Sequence, residues 1–323
     1  MALACAGALL TAACAPTLAP AGPPHQPPRL EDTRFVMGDG AALPLIRYLP
    51  DSPARAAVVA LHGFNDYANA FAPVGARLAR DAIATYAYDQ RGFGGAPDRG
   101  LWPGSDSLIE DADAALSLVA ARHPGVPVYM LGESMGGAEI LAGVARGRFR
   151  AAAGFILLAP GLRGRSTLPP GAAPILWLAS RAMPWLAGRA PDFGFRPTDN
   201  PEAVRALIRD PLVVRETRIG TISGLVDLVD EAVESVSHFD APALILMGRR
   251  DEIIPPDMMR AALARMPPAG PERRRIAVYN DGYHLLTRDR RGQVVINDIA
   301  AWILARPGAP ATPLPSGADR VAP

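Results

Sequence analysis

The segment 132–136, with the sequence GESMG, constrains the fold of this chain more than any other, because it directly follows the apolar run 128–131. An apolar run that passes within a few residues into a helical pattern predicts a strand, a sharp turn and a helix. Ser134 lies at the turn, where the backbone is strained and small residues are needed two positions before and after it. Gly132 and Gly136 meet that need. The pattern is typical of a nucleophilic serine at the edge of a sheet.

Short apolar runs alternate with longer helical patterns along the rest of the chain, which predicts βαβ units and a mostly parallel sheet. The predicted strands are 34–37, 45–48, 57–61, 85–88, 128–131, 154–158, 243–247 and 276–279. Helical spacing of apolar residues predicts helices at 70–80, 106–122, 135–145 and 294–305. The fold class is therefore α/β, with a mostly parallel eight-stranded sheet flanked by helices.

The alternation breaks at about 161–239, and we expect this stretch to form a helical cap inserted after the sixth strand. It carries apolar runs around Trp177 and Trp185 and a second helical region at 201–236. These apolar residues either form a small helical core or line a pocket for an acyl chain, and both roles are compatible. Trp177 and Trp185 are therefore candidate substrate-binding residues.

Charge and cysteine content exclude several classes of function. The 323 residues include 33 Lys and Arg against 32 Asp and Glu, and no basic cluster is interleaved with aromatic residues. Nucleic acid is therefore not an expected partner, and we expect a substrate that is neutral or whose charge is secondary. Both cysteines, Cys5 and Cys14, precede the folded body, so that body can hold neither a disulfide nor a thiolate metal site. No metal is expected.

The ends of the chain differ in composition from its middle. Residues 1–13 are small and apolar and resemble a bacterial lipoprotein signal that ends at Cys14, which would then carry the lipid. On that basis we expect a lipid-anchored protein of the cell envelope. A plain secretory signal, giving a secreted or periplasmic protein, and a disordered Ala-rich tail are the alternatives.

The remaining segments divide the chain into one domain with two flanking stretches. Residues 14–29 are rich in proline and alanine and predict an extended tether between the anchor and the body. Residues 30–306 contain no linker and predict a single catalytic domain. Residues 307–323 are again rich in proline and alanine, and we expect a disordered tail.

A serine nucleophile needs a base that accepts its proton and an acid that orients the base. After Ser134 the sequence offers only His238 and His284 as bases. His238 precedes the seventh predicted strand, whereas His284 follows the last one and so lies at the carboxyl edge of the sheet, where such sheets bind ligands. We therefore predict His284 as the base.

The acid is expected on the loop after the seventh strand. Asp251 and Glu252 are adjacent candidates there, and Asp251 has the favoured glycine-x-x-aspartate spacing from Gly248. Its carboxylate would keep the imidazole in the tautomer that accepts the serine proton.

Acyl transfer also requires N–H donors for the developing oxyanion. The backbone N–H of Met135, directly after the nucleophile, is one candidate, and the N–H of Phe64, on the loop after the third strand, is the other. Gly63 lets that loop turn. His62 is interpreted as a structural hydrogen-bonding residue rather than a second base.

Taken together, these motifs resemble the monoacylglycerol lipase and lysophospholipase group of α/β-hydrolases, within the domain family called serine aminopeptidase S33. The resemblance covers about residues 30–306 and rests on His62-Gly63-Phe64, Asp89-x-Arg91-Gly92-x-Gly94, Gly132-Glu133-Ser134-Met135-Gly136-Gly137, Asp251 and His284. It implies the α/β-hydrolase fold with a helical cap, a triad of Ser134, Asp251 and His284, an oxyanion hole from Phe64 and Met135, and no cofactor. Asn65 and Asp66 stand where the lipase pattern often has glycine and glutamate.

The predicted function is hydrolysis of a carboxylic ester, of monoacylglycerol or lysophospholipid type, through an acyl-serine intermediate. A membrane is the expected second partner, through the lipid anchor. Hydrolysis of another acyl bond, such as a peptide N-terminus or a lactone, is an alternative that the same residues allow. A surface lipoprotein that only binds is the alternative from a different class of protein.

Overall fold

The structure, a computed structural model, describes residues 18–189, 195–305 and 313–318. The predicted signal segment 1–13, Cys14 and the start of the predicted tether lie outside the described residues. Among the described residues, no helix combines the length and the apolar character that a membrane span requires.

The strands form one large sheet and one small strand pair. The large sheet has nine strands among the described residues, in the order β1-β2-β3-β5-β4-β6-β7-β10-β11. Its strands are β1 (Arg29–Leu30), β2 (Arg34–Val36), β3 (Ala42–Tyr48), β4 (Ala56–Leu61), β5 (Ile83–Tyr88), β6 (Val128–Glu133), β7 (Ala152–Leu158), β10 (Ala243–Gly248) and β11 (Arg274–Tyr279). The small pair consists of β8 (Ala187–Arg189) and β9 (Glu216–Arg218), which are antiparallel.

All eight predicted strands are present, and the predicted α/β fold class is confirmed. The prediction of eight strands was wrong by one, because β1 has only two residues and is too short to produce a periodic pattern. Strands β4, β5, β6, β7, β10 and β11 pair in parallel, whereas β1, β2 and β3 are antiparallel to their neighbours.

The central strands have continuous apolar sequences because both faces of the sheet are covered. In β4, Ala57, Val59 and Leu61 point into one apolar core, and the alternating residues Ala56, Val58 and Ala60 point into the other. Each central strand therefore contributes to two separate cores, one on each face of the sheet.

Helices cover both faces and hold the sheet between two layers. The helices are α1 (Ala72–Arg80), α2 (Ser105–Arg122), α3 (Met135–Ala145), α4 (Ala172–Ala182), α5 (Pro201–Arg209), α6 (Ile219–Ser235), α7 (Pro256–Leu263) and α8 (Gly292–Ala305). The four predicted helices correspond to α1, α2, α3 and α8 within two residues at each end. Helices α1 and α8 cover one face, and α2, α3, α6 and α7 contribute to the core on the other.

The region predicted as a cap contains α4, α5, α6 and the strand pair β8-β9. Leu228, Val229 and Ala232 of α6 are buried in the same core as the helix α3 that follows Ser134. Helix α4 is different, because Ser180 is its only buried residue. The cap is therefore fixed to the body through α6, and α4 lies at its surface.

The described part of the predicted tether, from residue 18 onward, lies along the body of the domain instead of extending away from it. Ala19 N donates to Trp102 O (2.9 Å), and Ala21 N donates to Ser107 Oγ (2.8 Å). Gln26 N donates to Gly38 O (3.1 Å). Proline removes only its own N–H, so the remaining N–H groups of a proline-rich segment can still bond to a folded neighbour. The prediction of a free tether was therefore wrong for this part of the segment.

The described part of the predicted tail, 313–318, is also ordered against the body. Leu314 is buried, and Val278 N of the edge strand β11 donates to Ala318 O (3.1 Å). Asp298, which is fully buried in α8, accepts from Ser316 N (3.0 Å) and from Tyr279 Oη (2.7 Å). These contacts contradict the predicted disorder for this segment. The buried carboxylate of Asp298 requires hydrogen-bond donors, and the segment supplies one of them through Ser316 N.

Glu139 of α3 is a buried acid without a hydrogen-bond partner among the described residues. It is fully buried, and both carboxylate oxygens are unpaired. Burial, with a smaller contribution from the charge of Asp111, raises the pKa of Glu139 well above its ordinary value. The carboxyl group therefore favours its protonated form in the folded protein.

We expect Glu139→Gln to stabilise the protein at neutral and alkaline pH. Because the folded-state pKa of Glu139 is raised above that of the unfolded chain, the wild-type protein loses stability as pH rises from about 4.5 through the folded-state pKa. The slope is at most about 1.4 kcal/mol per pH unit. Denaturant unfolding between pH 4 and 9 measures it. Glu216→Gln, at a side chain that is 62 % exposed, is the control and should leave the profile unchanged. An unaltered profile in Glu139→Gln would contradict this account.

Candidate active site

Ser134 occupies the predicted strand-turn-helix position with a strained backbone. It lies between β6 and α3 at φ 52° and ψ −108°, in a region that residues with side chains rarely adopt. A Cβ atom on Gly132 would collide with the backbone of Gly136, and one on Gly136 would collide with the carbonyl of Leu61. The two glycines therefore allow strand and helix to approach closely enough to force the turn. Ser134 N donates to Leu158 O (2.9 Å), which fixes the turn to the neighbouring strand.

The two predicted oxyanion donors belong to residues in segments close to Ser134. Met135 is the first residue of α3, so the helix itself leaves its N–H without a partner. Phe64 lies on the loop after β4, and a Cβ atom on the adjacent Gly63 would be 3.5 Å from the Cβ of Ser134. The loop turns at Asn65, which has a positive φ of 64°, and Asn65 Nδ2 donates to Thr217 Oγ1 of β9 (2.7 Å).

His62 is fully buried and has a structural environment. Its Nε2 accepts from Gln90 N (3.0 Å), which leaves Nδ1 as the donor to Gly63 O (2.8 Å). Burial lowers the pKa of His62, which agrees with a neutral ring. This residue supports the turn at Gly63, as the sequence analysis interpreted it.

Asp251 and His284 are joined as predicted for an acid and its base. Asp251 Oδ2 accepts from His284 Nδ1 (2.8 Å), and both side chains are buried. The other oxygen, Oδ1, accepts from the backbone N–H groups of Ile253 and Ile254, both at 2.8 Å. The carboxylate is thus fixed in orientation, and the bond to Nδ1 leaves Nε2 of His284 as the nitrogen that can accept a proton.

The alternative candidates for the acid and the base have different surroundings. Glu252 is exposed and its Oε2 accepts from Arg196 N (2.9 Å). His238 is also exposed, and its Nδ1 contacts Ser237 Oγ (3.2 Å). Ser134 follows β6, and Asp251 and His284 follow the parallel strands β10 and β11, so all three lie at the carboxyl edge of the sheet. Among the described residues, no hydrogen bond joins Ser134 Oγ to His284.

The loop that carries His284 is held by Asp289. Asp289 Oδ2 accepts from Tyr283 N (2.8 Å), and its Oδ1 accepts from Thr198 Oγ1 (2.7 Å) of the cap region. Burial raises the pKa of Asp289, while the hydrogen bond from Tyr283 N opposes that increase. Leu285 N also donates to Pro197 O (2.9 Å). The position of His284 therefore depends on contacts with the segment that precedes α5.

A largely buried cluster of ion pairs connects these loops. Arg288 Nη2 donates to Glu133 Oε2 (2.7 Å), and Arg288 Nη1 donates to Asp66 Oδ2 (2.6 Å). Burial raises the pKa of Glu133, and the charge of Arg288 opposes that increase. Burial alone would lower the pKa of Arg288, but Glu133 and Asp66 more than offset it, so this pKa is raised. The guanidinium is therefore charged.

Trp177 and Trp185 lie at the surface of the cap, with exposed fractions of 56 % and 64 %. The guanidinium of Arg181 stacks on the ring of Trp177 at 4.1 Å from its centroid. Neither tryptophan is buried in a helical core, and the structure does not bring them into contact with Ser134. Across the described ranges, no group of three or more His, Cys, Asp or Glu side chains is arranged to hold a metal ion.

Four charged residues of the site had no predicted role: Glu133, Asp66, Arg288 and Asp289. Each is a charged residue within five positions of a predicted site residue, and that proximity was the available signal. Their pairing was not predictable, because Arg288 is 155 residues from Glu133 and 222 from Asp66.

The fold and the arrangement at the sheet edge define an α/β-hydrolase. Comparison with protein families matches residues 52–291, about three quarters of the chain, to the family described as serine aminopeptidase, S33. The chain therefore belongs to this family, and the predicted fold and family are confirmed.

Named relatives cover most of the chain. The monoacylglycerol lipase of Mycolicibacterium smegmatis is 26 % identical over 265 residues, covering 80 % of this chain and 91 % of the relative. Human monoglyceride lipase is 23 % identical over 304 residues, covering 90 % and 96 %. Among solved structures, the monoacylglycerol lipase of Paleococcus ferrophilus has a TM-score of 0.68 at 23 % identity and covers 81 % of this chain and 98 % of its own. The monoglyceride lipase of Saccharomyces cerevisiae has a TM-score of 0.71 at 19 % identity, covering 90 % and 97 %.

Proposed function

We propose that this chain hydrolyses carboxylic esters of monoacylglycerol-like lipids through an acyl-serine intermediate. The predicted enzyme class, a carboxylic ester hydrolase, is confirmed by the family and its relatives. One observation carries the mechanism: a preformed pair of Asp251 and His284 shares a sheet edge with the strained Ser134. The names of the relatives support the choice of a monoacylglycerol-like substrate.

Acylation begins when the Ser134 hydroxyl attacks the ester carbonyl carbon. His284 Nε2 takes the hydroxyl proton as the new carbon–oxygen bond forms, and Asp251 stabilises the resulting imidazolium through its bond to Nδ1. The N–H groups of Phe64 and Met135 bind the oxyanion. His284 then donates the proton to the leaving alcohol, whose departure breaks the ester bond. The hydrogen bond from Ser134 Oγ to His284 Nε2 forms in the substrate complex, where catalytic contacts often tighten.

Deacylation repeats these steps with water as the nucleophile. His284 removes a proton from the water, which attacks the acyl carbon, and the same two N–H groups bind the second oxyanion. The proton returns to Ser134 as the acid leaves. The protein groups in this mechanism are the side chains of Ser134, His284 and Asp251 and the backbone N–H groups of Phe64 and Met135.

The test of this function is activity-based labelling followed by a substrate panel. We expect wild-type protein to react with a fluorophosphonate and to cleave p-nitrophenyl esters and monoacylglycerols. Ser134→Ala should abolish labelling and lower ester hydrolysis by about 10⁴-fold or more, because the nucleophile is lost. An unlabelled wild-type protein would support a protein that only binds. A preference for peptide or lactone substrates over esters of rising acyl length would contradict the lipid-ester assignment.

Asp251 and its neighbour Glu252 provide a matched pair of variants. We expect Asp251→Asn to lower kcat by about 10³ to 10⁴-fold, because the amide no longer stabilises the imidazolium or fixes its tautomer. Glu252→Gln should stay within about threefold of wild type, because that carboxylate faces solvent. Steady-state kinetics on a soluble ester measure both. A larger loss in Glu252→Gln than in Asp251→Asn would reverse the assignment.

A lipid surface is the proposed second partner, and α4 and the turn after it carry the supporting feature. Six large apolar side chains there are exposed by more than two fifths: Ile175, Trp177, Leu178, Met183, Trp185 and Leu186. Exposed apolar patches of this kind mark interaction sites, and tryptophan favours the boundary between water and lipid. A lipid on Cys14 and a location in the cell envelope are part of the same proposal and rest on the sequence alone.

We expect the double variant Trp177→Ser and Trp185→Ser to lose about tenfold of the wild-type rate on monoacylglycerol in vesicles, because weaker interfacial binding reduces access to substrate. Hydrolysis of a soluble short-chain ester should be unchanged. Leu49→Ser is the matched control, since Leu49 is also exposed but follows β3 at the opposite edge of the sheet. An equal loss on both substrates would indicate a role for the tryptophans in the pocket.

A further inference from the structure

Arg288 is the one side chain whose described hydrogen bonds reach both the nucleophile turn and the oxyanion loop. We propose that Arg288 is a positioning residue, which holds the oxyanion donors and His284 in place relative to Ser134 through its two ion pairs. The proposal rests on the proposed function, because it concerns the same reaction. Arg288 does not belong to the triad, and nothing in the proposed chemistry requires it to touch substrate.

The first ion pair joins Arg288 to the nucleophile turn. Glu133 is the last residue of β6 and directly precedes Ser134, and its side chain is 1 % exposed. Arg288 Nη2 donates to Glu133 Oε2 at 2.7 Å. A charge buried at this position requires a paired cation, so the strand end at Ser134 is linked to the arginine.

The second ion pair joins Arg288 to the oxyanion loop. Asp66 lies two residues after Phe64, and Arg288 Nη1 donates to its Oδ2 at 2.6 Å. Asp66 N donates to Gly63 O (3.2 Å) and Asp66 Oδ1 accepts from Tyr67 N (2.9 Å), so the carboxylate is part of the turn that presents the Phe64 N–H. A Cβ atom on Gly63 would lie 3.8 Å from Glu133 Oε2, so the ion pair between Glu133 and Arg288 is close to this turn.

The arginine itself belongs to the loop of the base. It lies four residues after His284, in a 3₁₀ turn at Leu286–Arg288, and Arg288 N donates to Leu285 O (2.8 Å). The Arg288 carbonyl accepts from Asn200 Nδ2 (3.2 Å) at the start of α5. Three loops that are far apart in sequence thus share one cation, whose side chain is 11 % exposed, and each loop carries one part of the proposed machinery.

Only a guanidinium fits this arrangement. Its two Nη groups diverge in a fixed planar fork, so each can donate to a different carboxylate at the same time. A lysine keeps the charge but concentrates it at one point, and it cannot span both acceptors with the same geometry. Loss of the fork would let the two loops shift relative to each other, and an oxyanion donor that is displaced stabilises the transition state less.

The experiment compares Arg288→Met and Arg288→Lys with wild type. Because donor displacement affects the transition state, we expect Arg288→Met to lower kcat by about 100-fold and to leave KM within about threefold. The inhibition constant of a trifluoromethyl ketone, which forms a tetrahedral adduct with the serine, should rise by a similar factor. Arg288→Lys should lie between wild type and Arg288→Met in both measurements.

Arg91→Met is the matched structural control. Arg91 is buried and, like Arg288, pairs with two carboxylates, through Asp111 Oδ2 (2.9 Å) and Asp39 Oδ2 (2.8 Å), but neither partner belongs to the site. We expect this variant to lose thermal stability while kcat per folded molecule stays within about threefold of wild type. The double variant Arg288→Met with Glu133→Gln should recover stability relative to Arg288→Met without recovering kcat.

Several results would overturn the proposal. These are a wild-type kcat in Arg288→Met or Arg288→Lys, a loss in Arg91→Met as large as that in Arg288→Met, and recovery of kcat with stability in the double variant. If Arg288→Met does not fold, Arg288→Lys decides, because it keeps the buried charge. Fluorophosphonate labelling separates the two proposals: an unreactive wild type ends the proposed function, whereas wild type and Arg288 variants that react at equal rates end only the role of Arg288.

Discussion

The backbone strain at Ser134 is the constraint on which the rest of the site depends. A residue with a side chain keeps a φ of 52° only where its surroundings determine the conformation, and here two glycines allow β6, β4 and α3 to approach closely enough to do so. This backbone conformation costs on the order of 1–3 kcal/mol of folding free energy, which packing in the two apolar cores on either side of the sheet offsets. The packed cores therefore hold Ser134 in the conformation that the proposed reaction requires.

Parallel strands make the convergence of distant residues possible. Because β6, β10 and β11 run in the same direction, the loops that follow them emerge at one edge, which therefore carries Ser134, Asp251 and His284 although they are far apart in sequence. The order of the strands determines which loops are neighbours. The fold therefore supplies proximity, and hydrogen bonds such as that from His284 to Asp251 supply orientation.

Much of this was predictable from sequence, and the remainder was not for identifiable reasons. Continuous apolar runs revealed every central strand, and chain order revealed His284 and Asp251 as candidates. Pairs such as Arg288 with Glu133 join residues that are far apart in sequence, so no local sequence pattern predicts them. The predictions from composition were wrong for the described parts of the two proline-rich segments. Both segments were expected to be free of the domain, but the backbone N–H groups of Ala19 and Ser316 donate hydrogen bonds to it. Proline content does not indicate which of the other N–H groups have partners.

The segment 313–318 also has a consequence for how copies of this protein meet one another. Strand β11 is the last strand of the sheet, and an outer strand with unpaired peptide groups is a template for association between sheets. The bond from Val278 N to Ala318 O occupies one of those groups, and Arg274 and Arg275 place positive charge at the start of the same strand. The C-terminal segment thus covers part of this outer strand, and removing it would leave Val278 N without this hydrogen bond.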